Sequence, residues 1–202
     1  MPDGNKPASY ASADAWDRFQ ALIVVTSEHH IWIGAVGDDG YGRFHDPAYS
    51  QAHDGVSPTA RVTRWRLWAE YGPIAAGQVA MHDCDIPLCA RLECLAPGTQ
   101  SQNLTTAADR DRVARYSRYG GRRDAADRRS AYALSLALRT AVKAAIGQGV
   151  TDPDALNQVV KEVLAAGNPN AGQPSLLDAV DQEPAADQEP AEGYEQPALF
   201  DL

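Results

Sequence analysis

Residues 82–103 read HDCDIPLCARLECLAPGTQSQN, and the interpretation of the whole chain turns on this stretch. It holds all three cysteines of the 202 residues, Cys84, Cys89 and Cys94, with His82 opening the block and Asn103 closing it. Three cysteines cannot pair completely. The chain starts polar, without the apolar stretch of a signal peptide, and no run approaches the ~20 apolar residues of a membrane span. A soluble, cytoplasmic protein with reduced thiols is therefore expected, and clustered thiols in that setting favour metal over disulfides. Zinc takes four nitrogen or sulfur ligands in a tetrahedron. The cysteines offer three, and the fourth must come from His29, His30, His45, His53 or His82. Free cysteine is often simply buried, but Asp83, Asp85, Arg91 and Glu93 interleave with these three and argue against an apolar core.

Working outward, Gln78 to Cys84 reads as a short strand leading into the block, and Cys94-Leu95 as the start of a second. Gly98-Thr99 reads as a turn and cap that open a helix through Asn103 to about residue 118. Upstream, Trp16, Phe19 and Leu22 stand at helical spacing and predict a helix from Ala13 to Ile23. Ile31, Ile33 and Val36 predict a strand, Asp39-Gly40 a tight hairpin turn, and Tyr41 to Phe44 the returning strand. Residues His45 to Ser57 are polar and turn-rich, hence loop. Val62, Trp65 and Trp68 predict a helix ended by Gly72-Pro73. Beyond a Gly120-Gly121 break, Ser130–Ile146 and Pro153–Ala166 predict a helical hairpin.

The net charge of −9 misleads as a global figure. Eight acidic residues and no Lys or Arg lie between Gln173 and Leu202, so the remaining chain is near neutral. Within it, Arg110, Arg112, Arg115, Arg118, Arg122, Arg123, Arg128 and Arg129 crowd into twenty residues. Such a segment is the electrostatic footprint of phosphate contact, or else a solvated helix face.

The 82–103 block resembles the His-Cys-box-like branch of the HNH, or ββα-metal, endonucleases, a group common in phages and mobile elements. Its pattern runs His-x-Cys-Asp-x-x-x-Cys-x-Asn-Pro-x-His-Leu, then Gly-Thr-x-x-x-Asn. Two further blocks stand in the family's order: IWIGAVGDDGYGRF at 31–44 is similar to its Trp-x-Gly-Ala and Gly-Tyr-Gly-Arg-Phe elements, and RWRLWAEYGPI at 64–74 to its arginine helix ending in Gly-Pro-Ile. The resemblance implies a DNA endonuclease that hydrolyses phosphodiester bonds. It puts His82 in the role of general base, for which histidine's near-neutral pKa is suited. Asn103 falls on the ligand of a catalytic divalent ion, usually Mg²⁺, and Arg64 on the helix arginine. Cys84 and Cys89 fall on two structural zinc ligands, and Cys94 on the family's zinc histidine. The upstream zinc cysteine aligns with His29, so the ligand set is retained in permuted order, with His30 the rival for that position. Arg91 stands where the family has asparagine.

The tail carries QPSLLD at 173–178 and QPALFD at 196–201. The second resembles the bacterial sliding-clamp-binding peptide and would place Gln196, Leu199 and Phe200 in the clamp's apolar groove. The sequence thus predicts an α+β protein: a disordered start at 1–13, a small zinc-stabilised ββα-metal nuclease domain at 14–118, a basic helical extension at 119–168, and a disordered acidic tail at 169–202. Double-stranded DNA is the expected partner, gripped by Arg110, Arg112, Arg115, Arg118, Arg122 and Arg123. The sliding clamp is a second partner, no membrane is expected, and a homodimer is compatible. The runner-up function is a catalytically inactive zinc-fold DNA-binding protein tethered to the clamp.

Overall fold

A computed structural model describes residues 10–109 and 125–167, with side chains placed outside 107–109 and 125–130. Arg110 through Arg123 and the two tail peptides lie outside the described residues. The molecule is a mixed α+β assembly of short strands and helices. Among the described residues no helix is long and apolar enough to cross a membrane.

The chain enters through Tyr10, whose amide donates to the Ala69 carbonyl at 2.9 Å, so ordered structure begins inside the stretch expected to be disordered. Ser12 caps helix α1 (Ala13–Gln20), its hydroxyl accepting from the Ala15 amide at 3.2 Å. This helix stops three residues before the expected Ile23, because Ile23–Val25 is drawn off as strand β1. β1 pairs antiparallel with β2 (His30–Trp32), in register Ile23 with Trp32. The sequence led instead to a hairpin of 31–36 with 41–44. Only a single bridge, Val36 with Gly42, joins those segments. Strand β3 (Arg43–His45) turns away to pair with β4 (Thr59–Arg61).

Between β3 and β4, the span expected as loop holds a short helix, α2 (Pro47–Gln51). Asp46 starts it by accepting from the Ala48 amide at 3.0 Å, with proline in the first turn. Helix α3 (Val62–Tyr71) buries Val62, Trp65, Trp68 and Ala69 and ends at Gly72. Strands β5 (Gln78–His82) and β6 (Leu95–Thr99) pair antiparallel, with His82 opposite Leu95. Helix α4 (Gln100–Asp109) follows at once and packs on both strands. Its start is a reciprocal cap. The Thr99 hydroxyl accepts from the Gln102 amide at 3.1 Å, and the Gln102 side chain accepts from the Thr99 amide at 2.8 Å. Helices α5 (Ala125–Gly147) and α6 (Pro153–Ala166) pack on each other, and Leu138, Val142, Leu156 and Val160 join the same core as the body.

Among the described residues the three two-stranded sheets, of three to five residues per strand, cannot carry this fold, since an isolated hairpin is marginal in water. The apolar centre does most of the work. Phe19 lies 4.5 Å from Trp65 between ring centroids, Trp65 4.6 Å from Phe44, and Phe19 5.5 Å from both Phe44 and Trp32. Trp65 is fully buried, and its indole N–H donates to the buried Asp46 carboxylate at 2.9 Å. Trp65→Ala is expected to lower unfolding free energy by about 3–5 kcal/mol, measured by urea denaturation at constant metal concentration.

Candidate metal centre

His29, Cys84, Cys89 and Cys94 converge from three places in the chain. Their ligand atoms all lie within 4.8 Å of one another. His29 ends the turn between β1 and β2. The Thr26 amide donates to the His29 carbonyl at 2.8 Å, and the Thr26 hydroxyl accepts from the His29 amide at 2.9 Å. Cys84 and Cys89 flank a tight excursion after β5. Asp85 takes a left-handed backbone there, φ 64°, and the Cys89 amide donates to the Ile86 carbonyl at 2.9 Å. Aspartate tolerates that conformation better than most residues. Cys94 closes a single 3₁₀ turn, Leu92–Cys94, just before β6.

Residues 88–90 are then zipped onto the open edge of β2. The Trp32 amide donates to the Leu88 carbonyl at 2.8 Å and the Ala90 amide to the His30 carbonyl at 2.7 Å. This pairing carries Cys89 Sγ to 3.8 Å from His29 Nδ1. Ligands held ~2.0–2.3 Å from one tetrahedral ion stand about 3.6–3.8 Å apart, so the cluster needs only slight contraction around such an ion. His30 supplies backbone to this junction, and its ring is not among the four converging groups. The choice left open between His29 and His30 falls to His29.

The chemistry of the donor set fits the same ion. Backbone amides aim at sulfur: that of Ile86 at Cys84, and those of Arg91 and His30 at Cys89. These donors favour thiolate over thiol. The Cys84 thiol is held well below its ordinary range, first by hydrogen bonding from Cys89 and then by His29 and the Ile86 amide against the cost of burial. Cys89 is pushed up by that same interaction and by burial. Cys94 is raised to about 11 by burial and by the charge on Cys84. Three thiolates so close repel one another. A divalent cation is the natural counter-charge, and its binding releases the remaining protons.

The supports of the cluster reach further than the sequence suggested. Thr26 also meets Asn157 of α6 at 3.1 Å, the Ser27 amide donates to the Pro153 carbonyl at 3.1 Å, and Lys161 pairs with Glu28. The helical hairpin thus braces the turn that presents His29. Arg91 donates to the Ser27 carbonyl at 3.2 Å and to Glu93 at 3.1 Å, tying the cysteine loop to that turn.

His82 is kept out of the four-residue group. It ends β5, is 8% exposed, and its Nε2 lies 2.9 Å from the Cys89 carbonyl oxygen. A carbonyl only accepts, so Nε2 carries the proton and Nδ1 is the basic nitrogen. The Tyr41 ring runs alongside, 5.9 Å between centroids and 28° from parallel. Asn103 stands half-buried in the first turn of α4, the helix packed on the hairpin that ends in His82. Arg64 acts as a brace: Nε donates to the Tyr49 hydroxyl at 3.1 Å and Nη1 to the Gln78 carbonyl at 2.9 Å, linking α3 to α2 and β5.

Neither the Cys89 carbonyl nor Tyr41 was singled out from sequence as part of a site. The carbonyl carries no side-chain signature. Tyr41 lay within a motif read for its turn and its family likeness. Comparisons with protein-family models, with curated proteins and with solved structures return no match for this chain.

Zinc titration with a competing chromophoric chelator tests the centre. His29→Ala is expected to weaken binding by more than about 100-fold, the upper end of what loss of a merely supporting partner costs. His30→Ala should stay within a few-fold of wild type, and an equal loss in both variants would reverse the assignment.

Proposed function

We propose that this chain is a zinc-stabilised, divalent-ion-dependent DNA endonuclease of the HNH, ββα-metal kind. The observation that carries the reading is the bond from His82 Nε2 to the Cys89 carbonyl, in a hairpin followed directly by the Asn103 helix. A general base needs a fixed ring and a defined basic nitrogen, and this bond provides both. His82 takes a proton at Nδ1 from the water that attacks the phosphorus. The amide oxygen of Asn103 is the protein ligand for a catalytic divalent ion. Such an ion, when bound, supplies charge neutralisation at the scissile phosphate and the leaving oxygen. One protein ligand suffices for Mg²⁺, which usually keeps several waters and takes substrate phosphate oxygens. Zinc at His29, Cys84, Cys89 and Cys94 holds the loop from which the carbonyl projects.

The substrate in this reading is double-stranded DNA, with Arg110, Arg112, Arg115, Arg118, Arg122 and Arg123 contacting the phosphate backbone. Gln196, Leu199 and Phe200 are the proposed contacts with the sliding clamp. A second reading, an inactive zinc-fold DNA-binding protein tethered to the clamp, draws on Arg91. Its guanidinium is engaged with Ser27 and Glu93, where the family asparagine would orient the catalytic loop.

Plasmid cleavage with Mg²⁺ or Mn²⁺, beside EDTA controls, separates the two. The endonuclease reading expects nicked or linear product from wild type and a rate lower by about 10²–10⁴-fold for His82→Ala, with zinc content unchanged. Wild-type protein that binds DNA and cuts with neither ion transfers the assignment to the second reading.

A further inference from the structure

Pro153, Asn157 and Lys161 stand at i, i+4 and i+8 of α6, and all three meet one short segment, Thr26 to His29. The Ser27 amide donates to the Pro153 carbonyl at 3.1 Å, the Thr26 hydroxyl lies 3.1 Å from Asn157 Oδ1, and Lys161 pairs with Glu28. The neighbouring stripe of the helix, Leu156 and Val160, is buried in the core. The three contacts differ in weight. Any residue at 153 supplies a carbonyl, and the Lys161–Glu28 pair is half-exposed on both sides, where ion pairs contribute little. Asn157 is different. It and Thr26 are each only 3% exposed. Asparagine is a poor helix former, and burying its amide is costly unless the amide is bonded. Its place beside Leu156 and Val160 therefore points to a use for the bond to Thr26.

That use lies one bond further on. The Thr26 hydroxyl accepts from the His29 amide at 2.9 Å. It has one proton to give, and the His29 carbonyl, 2.9 Å away, already accepts from the Thr26 amide at 2.8 Å. The proton therefore goes to Asn157 Oδ1, and a continuous hydrogen-bonded chain runs from the His29 backbone through Thr26 to α6. On its other side the same segment is tied to the cysteine loop. Arg91 donates to the Ser27 carbonyl at 3.2 Å, the Cys94 sulfur lies 4.0 Å from the Glu28 carbonyl, and His29 Nδ1 lies 3.8 Å from Cys89 Sγ. Ser27 thus has its amide on α6 and its carbonyl on Arg91. The segment cannot follow one side without straining its bonds to the other. We propose that Asn157 is a positioning residue for the metal centre and that, through it, metal binding and the docking of α6 are coupled. Asn157 holds the His29 segment where the three sulfurs require it, and metal ligation at His29 holds α6 in return. Linkage makes the two effects reciprocal. The proposal rests on metal binding at the four-residue centre and not on the nuclease reading.

Two measurements on the full-length protein, with zinc as the probe, test the two directions. Asn157→Leu keeps the size of the side chain among apolar neighbours, so the helix still packs. Its zinc affinity, from competition with a chromophoric chelator, is expected to fall about 10–100-fold, the usual cost of losing an outer partner of a metal ligand. Val160→Ala removes core packing from the same helix but leaves Asn157 in place, and it should stay within a few-fold of wild type. Wild-type affinity in Asn157→Leu would overturn the proposal, as would an equal loss in Val160→Ala. The second measurement is amide exchange, with zinc either well above each protein's dissociation constant or removed by chelator. In wild type, zinc removal is expected to speed exchange across Pro153–Ala166 by about 10-fold or more while helix α3 stays protected. In Asn157→Leu that zinc dependence should largely vanish. Protection of α6 indifferent to zinc in wild type, a loss spread equally over α3 and α6, or a zinc dependence kept in full by Asn157→Leu would each sink the coupling. Wild type that binds no zinc removes the metal centre and the proposal with it, whereas zinc bound without a response in α6 removes the coupling alone. Neither measurement uses DNA cleavage, so a failure of the nuclease reading leaves both intact.

Discussion

Cys89 faces two centres at once. Its sulfur lies 3.8 Å from the His29 ring and its carbonyl 2.9 Å from the His82 ring. Its own amide is bonded to Ile86, and the residues on either side are zipped to β2. Any displacement of this backbone would therefore move the metal ligand and the His82 acceptor together. A loop without regular secondary structure holds such a position only if several restraints agree. Here they are the strand-edge pairing and the left-handed turn at Asp85, and the four converging side chains could add a shared metal ion to them.

That coupling explains why so small a β content suffices. Three separate hairpins give little cooperative stability. The aromatic cluster around Trp65 supplies the burial, and the four-residue centre joins the β1–β2 turn to the β5–β6 hairpin across more than fifty residues of sequence. The α5–α6 hairpin completes the frame. It contributes Leu138, Val142, Leu156 and Val160 to the core, and Asn157, Pro153 and Lys161 to the turn that presents His29. These helices thus reach both the metal centre and, through Ala131 beside Gly40, the turn that presents Tyr41.

Much of this was legible from residue patterns, for identifiable reasons. Helices α3 and α6 announced themselves through apolar spacing, α3 also through its Gly72-Pro73 stop signal, and Pro153–Ala166 matched residue for residue. The β5–β6 pair and the start of α4 followed from the cysteine block, whereas the sequence itself left five histidines open as the fourth ligand and only the family resemblance pointed to His29, which the structure brings to the three cysteines. The misreadings have separate physical causes. A run such as Ile31 to Val36 has strand character but does not name its partner. Ile23–Val25, which starts at the last residue of the expected helix, took the partner's place. The helix at Pro47–Gln51 was hidden by its polar composition, although Asp46-Pro47 is a start signal. The Cys89 carbonyl was beyond reach, because backbone groups leave no trace in residue identity.

X-ray absorption at the zinc edge on the purified full-length protein tests the central claim most directly. The account predicts a first shell of three sulfur atoms near ~2.3 Å and one nitrogen near ~2.0 Å, with the imidazole signature lost in His29→Ala and kept in His82→Ala. A shell of oxygen and nitrogen alone, fewer than three sulfurs, or an imidazole lost with His82 instead of His29 would contradict it.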